Sequence, residues 1–152
     1  MVYIAPNATV TGSVVMGENV NIWYGAVLRG DSGTITLGAN TNVQDNCVLH
    51  EQVTLGEDCT VGHGAILHGC TIGNRCLIGM GAIVLDGAVL EDDCMVAAGA
   101  LVTGKMRAPA GSLIIGNPAQ VVKPITDAQR EYIRMDAENY VNLAKQGLPT
   151  KE

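Results

Sequence analysis

The sequence predicts an all-β solenoid, a parallel β-helix closed by a single C-terminal α-helix. Three observations carry that prediction. Aliphatic side chains recur every six residues, a small residue falls four positions after most of them, and aromatics are nearly absent: the 152 residues include no Phe, 1 Trp and 4 Tyr against 19 Gly. A six-residue period fits neither the 3.6-residue helix nor the two-residue alternation of a hairpin sandwich. It fits short strands separated by corners, with three hexads making one triangular coil.

The elements follow in order. The inward series runs Ile4, Val10, Met16, Ile22 and Leu28, resumes after a three-residue insertion at Leu37, Val43, Leu49, Leu55, Val61 and Leu67, and continues one residue short at Ile72, Ile78, Val84, Leu90, Val96 and Val102. Ala8, Ala26, Thr41, Cys47, Cys59, Ala65, Cys76, Ala82 and Cys94 take the small slot, where the chain must turn without crowding the axis. The cysteines there are read as small buried hydrophobes rather than redox or metal groups; Cys70 falls outside the slot, in the shortened repeat. Beyond Val102 the pattern dissolves into a closing loop that runs to Val122, so the expected units are a β-helix over 1–122 and a helical segment over 123–152 that packs on the β-helix or on a neighbouring subunit. That helix starts at a capping box, Thr126 with Gln129, presents Ile133, Ala137, Tyr140, Val141 and Ala144 on one face, and stops at Gly147 and Pro149. Stacked about 4.8 Å apart, six to seven coils make a prism roughly 30 Å tall.

Composition narrows the partners. A net charge of −6 disfavours nucleic acid and anionic membrane surfaces. No apolar run approaches the roughly 20 residues of a membrane span, and the first residues lack the basic and apolar regions of a signal peptide. Five cysteines without a CxxC pair complete the expectation of a reducing compartment, the cytoplasm.

The repeat then serves as a ruler for the 3 histidines. His50 follows Leu49 and His68 follows Leu67, both pointing outward, and 18 residues separate them, one full coil. Their backbones should stack about 5 Å apart, close enough to share a metal ion. His63 lies on the preceding face and should not reach them within one chain. A second prism could supply it, and a cyclic trimer with sites between subunits is the closed arrangement. Three imidazoles with an open fourth position suit catalytic zinc; iron, cobalt and nickel are also compatible. Arg29 belongs to the His50 column one coil below, Asp31 lies in the inserted loop, and Asp45 sits 18 residues before His63 with Gln44 beside it. Arg29 and Asp31 are therefore candidates to pair with Asp45 across an interface.

RGD at 29–31, NVQDN at 42–46, VLH at 48–50 and GHGAILHG at 62–69 resemble the motif set of gamma-class carbonic anhydrases. The repeat itself is similar to the hexapeptide-repeat family, whose members form left-handed parallel β-helices. The resemblance implies His50, His63 and His68 as zinc ligands between the subunits of a homotrimer. It implies hydration of CO2 to bicarbonate by hydroxide on the metal, with Gln44 hydrogen-bonded to that hydroxide. Arg29, Asp31 and Asp45 would organise the interface. Tyr140 resembles a tyrosine that some relatives bring near the metal from the C-terminal helix; helix packing explains it equally well. The chain departs from the family's best-known form in lacking an acidic loop with a glutamate proton shuttle: the repeat runs without insertion between His50 and His63, and residue 32 is Ser. An acyltransferase or thioesterase acting on acyl-CoA, and a non-catalytic metal-binding trimer, are the competing readings; GNPAQ at 116–120 is shared with acyltransferases and does not discriminate.

Overall fold

A computed structural model describes residues 1–152. The chain winds as a left-handed parallel β-helix of about 6 turns with one C-terminal α-helix. The inward series occupies the axis. Leu28, Leu49, Leu67, Val84 and Val102 stack on one face, and Ile22, Val43, Val61, Ile78 and Val96 on the face before it. Leu37, Leu55, Ile72 and Leu90 stack on the third. All fourteen merge into one continuous buried core, which needs no large aromatics because each layer is an aliphatic triangle closed by small corner residues. Ile4, Val10 and Met16 are only partly buried, because they belong to the terminal coil with nothing below it.

Two expectations about the repeat are corrected. Cys70 is fully part of the core and stands two residues before Ile72, as Cys47 stands before Leu49 and Cys76 before Ile78. The missing residue is therefore lost from the corner between His68 and Cys70, and Cys70 keeps the small slot. The closing segment is also not a loop throughout. Arg107–Ala108 and Ser112–Gly116 are strands of a further coil, and Ala108 and Ile114 continue the six-residue series into the core. The apolar signal was hidden by an Ala at the inward position and by Pro109 and Gly111 at the corner.

The three faces differ in what covers them. On the Ile22 face, the first in chain order (the Leu28 face being the second), the helix Asp127–Gly147 lies along the prism: Ile133 packs with Leu113 and Ile125 at one end, Ala144 and Leu148 with Tyr3 and Ala5 at the other. Its capping box forms as expected, with Thr126 Oγ1 accepting from the Gln129 amide and Gln129 Oε1 accepting from the Thr126 amide. Of its predicted apolar face Ile133, Ala137, Val141 and Ala144 are buried, and Tyr140 is half-buried. Both ends of this sheet are protected by antiparallel strands, Ala119–Pro124 on Ser112–Gly116 and Thr150–Lys151 on Val2–Ile4, which occupies edges otherwise open to pairing. Strand Ala119–Pro124 crosses residue 122. The third face points Val15, Thr36, Thr54, Thr71, Val89 and Arg107 outward, a mixed and mainly polar column. The second face points Val27, Val48, Ile66, Ile83 and Leu101 outward. No element of the chain covers them, and Val48 and Ile66 are each 37% exposed.

Candidate metal centre

The candidate residues gather at opposite edges of that uncovered second face. At the edge where the chain leaves it, the strands align Arg29 with His50 and His50 with His68. The inserted residues bulge out of strand Val27–Leu37, where the pairing register shifts between Gly12 and Val14. The bulge carries Asp31 and Ser32 up to His50: Nε2 of His50 lies 3.1 Å from Asp31 Oδ1 and 3.3 Å from Ser32 Oγ. Arg29 Nη2 approaches the same nitrogen at 3.0 Å, and Arg29 Nε stands 3.7 Å from Asp31. Burial pushes the Asp31 carboxyl up, but its hydrogen bond to His50 and the Arg29 charge outweigh this and hold it below the ordinary carboxylate value.

The two rings meet edge to face, with centroids 5.0 Å apart and an interplanar angle of 71°. His50 Nδ1 is 3.2 Å from His68 Nε2. Two nitrogens each about 2.05 Å from a tetrahedral ion stand roughly 3.4 Å apart, so this spacing suits a shared metal. On its other side His68 Nδ1 donates to Asp86 Oδ1, leaving Nε2 as a lone pair. With Nε2–H of His50 donating to the Asp31 carboxylate, Nδ1 is also a lone pair, and the Arg29 Nη2 group, 3.4 Å from Nδ1, is then the only cation near it. Two acceptor nitrogens then face one another, an arrangement that a cation between them stabilises.

At the opposite edge, the corner by which the chain enters the second face holds His63. Its Nδ1 donates to Asp45 Oδ1 at 3.1 Å, one coil below, which frees Nε2. Five residues separate it from His68, about 16 Å of extended chain. The structure therefore brings His50, His68, Arg29 and Asp31 together, and keeps His63, Asp45 and Gln44 in a second group. His63 is the more open of the three, its side chain 49% exposed against 15% for His50 and 36% for His68.

Gln44 is buried, and its Nε2 donates to Asn42 Oδ1 at 3.1 Å, while Asn42 Nδ2 donates to Thr60 Oγ1 at 2.9 Å. This ladder fixes the amide so that Oε1 stays without an intrachain partner. Gln44, His63, Asp136 and Tyr140 line one end of a groove of about 490 Å³ between helix and prism, with Leu77, Met80 and Met95 on its apolar wall. Trp23 meets Tyr140 edge-on at 5.4 Å, so the phenol is both packed and aimed into the groove. Burial first, then the charges of Asp136 and Asp45, hold the Tyr140 hydroxyl above its ordinary value.

The sequence of the bacterial transferase hexapeptide family (six repeats) matches residues 34–69 and 69–104. Protein YrdA of Escherichia coli is 44% identical over 151 residues, which cover 92% of this chain and 82% of YrdA. The crystal structure of a hexapeptide transferase family protein from Anaplasma phagocytophilum superposes with a TM-score of 0.91 at 44% identity, covering 95% of this chain and 88% of that one. Gamma carbonic anhydrase 2, mitochondrial, of Arabidopsis thaliana is 45% identical over 154 residues, 95% of this chain and 55% of that protein. This chain belongs to the hexapeptide-repeat family. It spans about half the length of the plant relatives, 55% and 56% of two of them.

Three side chains at this hexapeptide-repeat protein's candidate centre were not placed there by the reading of the histidine columns. Asp86 lies 18 residues after His68 and Ser32 18 before His50, but neither is the strand partner, because the coil after His68 is one residue shorter than the repeat and the coil before His50 three residues longer, so the ruler passes over both. The third is Glu51, whose carboxylate turns toward His50, with Oε1 3.9 Å from Nδ1. No sequence signal gave that direction, because it depends on a left-handed backbone at Glu51, φ 64°. No helix of the chain is long and apolar enough to cross a membrane.

Proposed function

We propose that this protein is a metal-dependent, carbonic anhydrase-like lyase, hydrating CO2 reversibly to bicarbonate at sites shared between the subunits of a homotrimer. The observation that carries the reading is the pair of half-sites on opposite edges of the one uncovered apolar face. If each protomer lays that face against its neighbour, one edge meets the next protomer's other edge, and three such contacts close a ring. His50 and His68 of one protomer then receive Nε2 of the partner subunit's His63 as third ligand. Zinc fits such neutral imidazoles, with iron or cobalt as alternatives. The bound metal supplies Lewis acidity that brings the pKa of water to about 7.

The chain's own residues do the rest. Asp31, Asp45 and Asp86 fix the tautomers of His50, His63 and His68. Gln44, held by Asn42, offers a carbonyl oxygen that orients an attacking hydroxyl group. Arg29 and Asp31 face Asp45 across the contact and set its register. Tyr140 closes the apolar groove on the side where a small neutral substrate enters. In the same reading residues 1–122 form the β-helix unit and 123–152 the helical unit docked on it, and the protein works in the cytoplasm.

Stopped-flow CO2 hydration tests this. Protein loaded with zinc, or anaerobically with Fe(II), should exceed the buffer rate, and His63→Ala should return it to that rate. A buffer-level rate with both metals at full occupancy would reject catalysis and leave a metal-binding trimer. A groove of about 490 Å³ is larger than CO2 needs, which favours acyl-CoA chemistry as the second reading; hydrolysis or transfer from an acyl-CoA in the same preparation would select it.

A further inference from the structure

The proposed centre leaves one donor unused. Glu51 directly follows His50 and adopts φ 64°. Most other non-glycine residues in that conformation here are Asn or Asp, at positions 19, 40, 46, 58 and 93, the types that tolerate it best. Arg75, the other long side chain among them, is engaged by Asp92 and Asp93. Glu51 instead turns its carboxylate over the two histidines. One donor atom from each of His50, Glu51 and His68 lies within 4.8 Å of the others. The contacts name a consistent set: Nδ1 of His50, which is 3.2 Å from Nε2 of His68 and 3.9 Å from Oε1 of Glu51. The remaining nitrogens of both rings face Asp31 and Asp86. Around these donors three carboxylates stand against the single guanidinium of Arg29, a balance that favours a cation.

We infer that Glu51 is a metal donor, so that His50, Glu51 and His68 of a single chain hold a divalent cation without the partner's contribution. The inference rests on the proposed reading for His50 and His68 and is independent of His63. Two imidazoles and one carboxylate are a donor set used by zinc and by ferrous iron. Arrival of the partner subunit's His63 makes four protein donors, which fill a tetrahedral ion unless one of them gives way. Metal loading therefore does not require assembly, and Glu51 and solvent compete for one position in the finished site.

Cobalt(II) titration, read by its visible absorption and by direct metal analysis, tests this on the full chain, with circular dichroism as a check of folding. His63→Ala should still bind one Co(II) per chain, within roughly tenfold of the parent affinity, and adding Glu51→Gln to it should weaken binding by a further tenfold to hundredfold. In the otherwise unaltered protein, Glu51→Gln should change the cobalt spectrum, because a donor is exchanged. Loss of all binding in His63→Ala, or an unchanged affinity and spectrum in both Glu51→Gln proteins, overturns the inference and leaves the three-histidine site standing. Stoichiometric cobalt in His50→Ala would sink both.

Discussion

Gly69→Ala isolates the part of the centre that no ligand contact reveals. Gly69 sits at the shortened corner directly after His68 with φ +62°, and an added Cβ would lie 2.6 Å from Asp86 Oδ2 and 2.9 Å from Asp86 Cγ. Two costs follow. An L-residue in the left-handed region is less stable by about 1–2 kcal/mol, which lowers the urea midpoint. The crowded carboxylate must also leave His68 Nδ1, and loss of such an outer partner weakens metal binding by about 10- to 100-fold, or roughly 1.4–2.7 kcal/mol. The assay is a double-mutant cycle of Gly69→Ala and Asp86→Ala, with zinc affinity measured by chelator competition and stability by urea unfolding of the metal-free protein. Each single variant should lose zinc affinity, and the double variant should lose no more than either, a coupling equal to the whole effect. The stability loss of Gly69→Ala should persist without Asp86. Additive losses of zinc affinity would refute the claim that Asp86 is the route from Gly69 to the metal.

Ile66→Lys places a charge in the middle of the uncovered face without touching the core, and light scattering should then give a protomer mass; retention of a trimer would show that another face makes the contact. His63→Ala should leave the unfolding free energy within about 0.5 kcal/mol of the parent, as expected for a half-exposed side chain, so any loss of hydration in that variant reports on the centre itself. The Cys47 and Cys70 thiols should be inert in the folded protein. Burial pushes Cys47 to about 11 and Cys70 to about 12, and alkylation at pH 8 should label them only on unfolding. Because their folded values lie above the ordinary value of 9.0, the stability they contribute is complete below pH 9 and drains as pH rises toward 11–12. Urea midpoints should fall over that window, and a flat profile would contradict the assignment.

The fold was largely legible because a triangular coil imposes its period on composition: each inward position must be aliphatic and each corner small. The same ruler placed His50 over His68 and Asp45 under His63, since side chains one coil apart share a direction. It failed where the period changes or the backbone departs from the repeat. Cys70 was misassigned because the count ran forward from Leu67 across a missing residue, whereas counting back from Ile72 gives its slot. The coil through Ala108 and Ile114 was hidden by a small inward residue and by Pro109 and Gly111 at its corner. Glu51 adjoins His50 in the sequence, but the direction of its carboxylate could not be read, because it is set by a positive φ that glutamate rarely adopts. The covering of only one face by the helix was likewise beyond the pattern, since the periodicity describes what points inward and says little about what docks outside.

The central claim is that one ion is held between His50 and His68 of one chain and the partner subunit's His63. The most direct test is an anomalous difference map at the zinc edge from crystals of zinc-loaded protein. The account predicts one peak per chain, bonded to both ring nitrogens of the stacked pair, with a third imidazole entering from the adjacent molecule across the apolar face. No peak between the stacked rings, or a peak there without an imidazole from another molecule, would contradict it.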